Sequence, residues 1–131
     1  MALPGATPPH ASLDIEITGL RSAKGMIQLC LTADAGAFPD CKSGAGGMRR
    51  TWSAAVPRIR FEDLPPGDYA VAVIHDANAN AKLDTMLGIP KEGFGFSRNP
   101  GIGFGPPRFA AARFAVGPGG EAQQIRMRYL L

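Results

Sequence analysis

The sequence predicts an all-β protein: one antiparallel β-sandwich of about six to eight strands, interrupted by a long Gly- and Pro-rich insert. Three observations lead there. The chain has 131 residues, the size of one domain with a single core. It carries 17 glycines and 12 prolines, a density that suits short strands joined by many turns and works against long helices. Apolar residues recur at every second position in several short segments, the period of a strand with one face buried.

Residues 1–11, opening MALPGATPPH, read as a Pro-rich disordered lead, and residues 12–131 as the sandwich domain. Leu13, Ile15 and Ile17 alternate with Asp14, Glu16 and Thr18, and Gly19 closes that strand. Gly25 opens a second strand, Met26 to Thr32, in which Ile27, Leu29 and Leu31 point one way, and the two strands read as an antiparallel pair. Phe38 to Ser53, rich in Gly, Lys and Arg with Trp52 near its end, reads as a long loop. Val56, Ile59 and Phe61 mark a third strand. The run EDLPPGD from Glu62 to Asp68 then forces a reversal, because consecutive prolines fix φ and Gly67 can take a positive one.

Tyr69, Val71 and Val73 alternate with Ala70, Ala72 and Ile74, so the next strand is apolar on both faces and belongs at the centre of a covered sheet. From Ala77 to Pro107 no period persists, apart from a candidate short helix at Ala81 to Leu87. An insert of that size inside a compact domain is usually functional or held by something. Phe109 to Val116 and Gln123 to Tyr129 read as closing strands, joined by GPGGE at Gly117 to Glu121.

Composition narrows the function classes. Hydrophobic residues make up 45% and charged residues 19%, the range of a globular chain. The net charge of +3 and the pI of about 9.2 would suit a polyanion, yet the basic residues are scattered, with Arg49 and Arg50 the only adjacent pair. No aromatic side chains interleave a basic stripe, and nucleic acid is not an expected partner. No apolar stretch approaches the roughly 20 residues of a membrane-spanning helix, and the first residues lack the basic and apolar regions of a signal peptide. Cys30 and Cys41, eleven positions apart, are either one disulfide or two independent thiols.

The chemistry-bearing run is HDANANAKLDTMLGIPKEGFGF, from His75 to Phe96. Asp76, Asn78, Asn80 and Asp84 occupy its offsets 1, 3, 5 and 9, a ladder of short oxygen side chains that suits a hard cation such as Ca2+. The Lys82 carbonyl at offset 7 and the Glu92 carboxylate would extend the shell. Position 12 is Leu87, so the bidentate glutamate of an EF-hand is missing. The alternative is a set of Asx turns in which these side chains cap backbone N–H groups without metal. His75 beside Asp76 invites a catalytic dyad with Ser97 as nucleophile, although strand neighbours point to opposite faces. Phe94, Phe96 and Phe104 beside Lys91 and Glu92 read either as an apolar ligand floor or as a small satellite core.

Taken together, FEDLPPGDYAVAVIHDANANAKLDTMLGIPKEGFGFSRNP and the later GPPRF resemble the bacterial family catalogued as domain of unknown function 2141. Its hallmark is a PPG turn, a strand ending in His-Asp, an Asn-x-Asn loop with a following Asp, and a G-x-P-x-E-G-F-G-F-S run. The resemblance spans from about Leu13 to the C-terminus and implies a small exported protein, which in turn favours a bridged Cys30 and Cys41. Ala81 stands where members often have Gly, a departure at the sharp turn of a cation loop. At the level of fold the pattern is also similar to prealbumin-like and immunoglobulin-like sandwiches and to the Ca2+-binding B repeats of surface adhesins.

Three functions are compatible with these residues. The first is an exported, non-catalytic binding or accessory module for a protein or glycan at the cell envelope, with Ca2+ as its candidate cofactor. The second is an envelope hydrolase for glycans or esters using His75, Asp76 and Glu92, for which two carboxylates are the minimum. The third is a transthyretin-like small-molecule carrier, which requires an interior cavity of several hundred Å3.

Overall fold

The computed structural model describes residues 10–41, 47–78, 85–86, 89–90, 92–101 and 105–130. The chain runs through β1 (Ala11–Thr18), β2 (Met26–Thr32), β3 (Gly47–Ser53), β4 (Arg58–Leu64), β5 (Gly67–Asp76), β6 (Thr85–Met86), β7 (Ile89–Pro90), β8 (Gly93–Phe96), the helical turn α1 (Phe109–Ala112), β9 (Phe114–Val116) and β10 (Glu121–Arg126). The smaller sheet has the order β10-β1-β4, with β10 parallel and β4 antiparallel to β1. The larger has the order β3-β2-β5-β8, and β9 pairs with the start of β5. These two sheets make the sandwich that the alternation predicts.

Leu13, Ile15 and Ile17 from β1 meet Ile27, Leu29 and Leu31 from β2, Val71 and Val73 from β5, and Ile125 from β10 in one buried core between the sheets. A second cluster covers the outer face of the larger sheet: Ala70, Ala72, Phe94, Phe96 and Ala112, with Phe38 and Phe109 packed on it. The central strand β5 is therefore buried on both faces, as its doubly apolar sequence requires.

Several local expectations are corrected. β1 and β2 are not a pair but lie in opposite sheets. A strand burying one face reads alike whether its partner lies beside it or across the core. What separates them is that β2 also buries Cys30 and Thr32 on its other face while β1 exposes Asp14 and Glu16. The expected loop from Phe38 to Ser53 ends in a full strand, β3, laddered to β2 from Met26↔Ser53 to Thr32↔Gly47. Gly67 does not take the positive φ; Asp63 does, at 59°, within β4 where its register against β1 shifts between Phe61 and Leu64, and there a short polar side chain tolerates the left-handed region. The first half of Phe109 to Val116 is helical, since three successive alanines favour a helical turn. The insert from Ala77 to Pro107 contains β6, β7 and β8, and the candidate helix at Ala81 to Leu87 falls largely outside the described residues.

One side of the sandwich is closed by the C-terminal segment. After β10 the Met127 N–H donates to the Thr18 carbonyl at 2.8 Å, and Arg128 and Phe94 exchange two backbone hydrogen bonds of 2.8 and 3.0 Å. The chain thus crosses from the smaller sheet to the edge of β8.

Candidate functional site

The site is built where β5 ends. His75 and Asp76 are consecutive strand residues, and the alternation of a strand sends their side chains to opposite faces. His75, 1% exposed, turns toward the core side. Its Nε2–H donates to the Lys24 carbonyl at 2.8 Å; a carbonyl only accepts, so that nitrogen carries a proton. In the neutral ring Nδ1 then accepts from the Tyr129 hydroxyl at 2.9 Å. The same hydroxyl oxygen accepts the Arg21 N–H at 3.1 Å, and the Arg21 guanidinium stands 4.3 Å from the Tyr129 ring centroid.

Two glycines make this closure sterically feasible. Gly25 has φ +74°, and an added Cβ there would overlap the Asp76 carbonyl and Ala77. The link into β2 can press against the end of β5 only without a side chain. At Gly93 an added Cβ would overlap the Tyr129 ring. The glycines of GFGF therefore face the C-terminal segment, while Phe94 and Phe96 face outward.

Asp76 lies on the outer face of the larger sheet, also 1% exposed. Its Oδ2 accepts from the Gln28 amide Nε2 at 2.9 Å. Glu92, 6% exposed, immediately precedes β8. The ladder pairs His75 with Gly93, and continuing that register by one step sets Glu92 opposite Asp76. Opposite positions on antiparallel strands hold their Cβ atoms about 5 Å apart, so two buried carboxylates share one face at the root of the Asp/Asn loop. Asn78 is exposed two residues beyond, and Asp76, Asn78 and Glu92 all make further interactions. Of the expected cation ligands, Asn80, Lys82 and Asp84 lie outside the described residues. Among the described residues no three His, Cys, Asp or Glu side chains converge.

His75 and Asp76 are thus not disposed as a dyad. Ser97 is buried, with Oγ accepting the Val71 N–H at 2.9 Å and donating to the Ala112 carbonyl at 2.5 Å. It sits beside Val71, four positions along β5 from His75, roughly 13 Å at the rise of a strand. Phe94 and Phe96 pack in the outer cluster with their ring centroids 6.1 Å apart, the satellite-core arrangement. Phe104 and Lys91 lie outside the described residues. Cys30 and Cys41 form a disulfide with a Cα separation of 5.7 Å.

Sequence reasoning missed Tyr129, Gln28 and the Lys24 carbonyl. A signal for Tyr129 was present: it continues the inward alternation of Ile125 and Met127 to a third position. Gln28 interrupts an otherwise apolar strand from the outer face, which marks a buried polar partner nearby.

The family model DUF2141, described as an uncharacterized protein conserved in bacteria, matches residues 15–125. No curated protein and no solved structure matches the chain.

Proposed function

Since the chain belongs to the DUF2141 family, to whose description no activity attaches, we propose from its geometry that it is an exported, non-catalytic accessory or binding module of the cell envelope, with a Ca2+-braced Asp/Asn loop. The observation that carries this reading is the burial of both Asp76 and Glu92, the residues that follow His75 and precede Gly93, the last pair of the β5–β8 ladder, at the root of the loop. Buried carboxylates are kept in a fold where they are hydrogen-bonded, ion-paired or coordinate a metal, and a divalent cation at the root of the loop would serve both groups. The Asn and Asp ladder that follows supplies the oxygen ligands a hard cation needs. Burial of both groups also favours this reading over glycan or ester hydrolysis, in which one carboxylate must face the substrate. The disulfide fits an oxidising compartment, and no helix among the described residues is long and apolar enough to cross a membrane.

A loop of this kind has an extracellular-type affinity, with Kd on the order of 10⁻⁴ M. Calcium at about a hundredfold excess over that Kd stabilises by about 2.7 kcal/mol, a rise of roughly 8 °C in Tm for a domain of this size. Thermal unfolding in chelator and in about 10 mM Ca2+ reads this directly, and Asp84→Ala and Asp76→Asn should each abolish the rise. A wild-type Tm indifferent to millimolar Ca2+ sinks the cation reading.

A further inference from the structure

The outer face of the larger sheet is divided along its strands. Gln28, Asp76 and Glu92 occupy one end, and the aromatic cluster of Phe38, Phe96 and Phe109 the other. At the aromatic end, the turn segment after β2 and the segment around α1 leave a groove of about 460 Å3, lined by Ala35, Phe38, Pro107, Arg108, Phe109 and Ala110. That volume falls within the range of small-molecule sites. The interior between the sheets, by contrast, is filled by Leu13, Ile27, Leu31, Val71 and Ile125.

Both walls are fixed. The Phe38 ring stands 6.1 Å from those of Phe96 and Phe109. Its segment is tied down by the Cys30–Cys41 disulfide and by the Cys41 N–H donating to the Ala37 carbonyl at 2.6 Å. The opposite wall is anchored by the Ser97 Oγ–H on the Ala112 carbonyl. A preformed groove loses little ordering entropy when it binds. Two half-buried aromatic rings on one surface supply an apolar bed.

Charge decides what the bed accepts. Arg108 is the charged residue of the lining; it is exposed, and among the described residues no carboxylate pairs with it, the acidic partners of Arg60 being Asp14 and Glu62. A guanidinium offers a planar fork of N–H donors that fits a carboxylate. We propose that this groove binds a small amphipathic carboxylate, its apolar body on Phe38 and Phe109 and its carboxylate on Arg108. This site stands at the opposite end of the sheet from Asp76 and does not depend on calcium.

The test is an NMR titration of isotopically labelled protein with octanoate, 1-octanol and octylamine. Octanoate should shift the Ala35 and Ala110 amides saturably, and both the alcohol and the amine should bind at least about tenfold more weakly, the scale of one charge-assisted contact. Arg108→Gln, at an exposed position that leaves the core intact, should weaken octanoate about tenfold and leave octanol unchanged. Ala110→Glu should abolish octanoate binding with Tm preserved. The proposal is overturned by the absence of a saturable shift at these amides, by alcohol or amine binding as tightly as octanoate, or by unchanged octanoate affinity in either variant.

Discussion

Tyr69, at the start of the central strand, is 9% exposed, and its hydroxyl donates to the Pro65 carbonyl at 2.6 Å. That bond fastens the prolyl turn to the strand that follows it. Burial disfavours the phenolate and pushes the ionisation of Tyr69 above the usual tyrosine range. Between the unfolded value of about 10 and the higher folded one, the unfolded chain has released its proton and the folded chain has not. The stability contributed by neutral Tyr69 is therefore complete below about pH 10 and is lost as the pH rises through the folded pKa. Tyr69→Phe should cost about 1 kcal/mol at neutral pH through the lost hydrogen bond and should flatten the alkaline decline measured by denaturant unfolding. An alkaline slope as steep in Tyr69→Phe as in the parent would refute the assignment. His75 shows the same economy of partners: with Nε2 on Lys24 and Nδ1 on Tyr129, both nitrogens are committed to fastening the end of β5.

At the scale of elements, the C-terminal segment decides whether the two sheets close along one side. It does so through the fit of the Tyr129 ring against the bare backbone of Gly93. Gly93→Ala should destabilise by about 1 to 3 kcal/mol, the usual cost of overpacking. The same substitution made in a Tyr129→Ala background should cost much less, because the ring it displaces is gone; a double-mutant cycle on unfolding free energies measures that coupling. Equal costs in both backgrounds would mean that Gly93 serves β8 alone. This closure was only partly legible beforehand. Period-two alternation identified β1, β2, β5 and β10, because each buries a face and local pattern reports burial. The assignment of strands to sheets was not legible, since β1 and β2 present the same alternation whether adjacent or opposed. Asp76 and Glu92 were visible as oxygen ligands, but their meeting depends on β8, whose alternating Gly and Phe carry a packing requirement that resembles loop composition.

Over the whole molecule, two buried clusters share β5, and they differ in what secures them. The inter-sheet core gathers apolar residues from β1, β2, β4, β5, β9 and β10, contacts that span the full sequence and stand without a cross-link. The outer layer is thinner: its Phe38 segment is an irregular run fastened to β2 by the Cys30–Cys41 bridge. A bridge with a sequence separation of 11 stabilises by about 3 kcal/mol through the entropy it removes from the unfolded chain. That is a large fraction of the 5 to 15 kcal/mol typical of a domain. The double substitution Cys30→Ala with Cys41→Ala should therefore lower the unfolding free energy by about that amount while preserving the sandwich. Its structural effect should be unequal. Hydrogen-exchange protection should fall first at the Ala37 and Cys41 amides, which are bonded within the bridged segment, and last along β1 and β5, where protection follows global unfolding. Uniform loss of protection across both clusters would mean that the bridge stabilises the core as one unit with the outer layer. Selective loss would establish the outer layer as a separately opening unit, and octanoate affinity should then weaken in the same variant, because the Phe38 wall of the groove belongs to that unit.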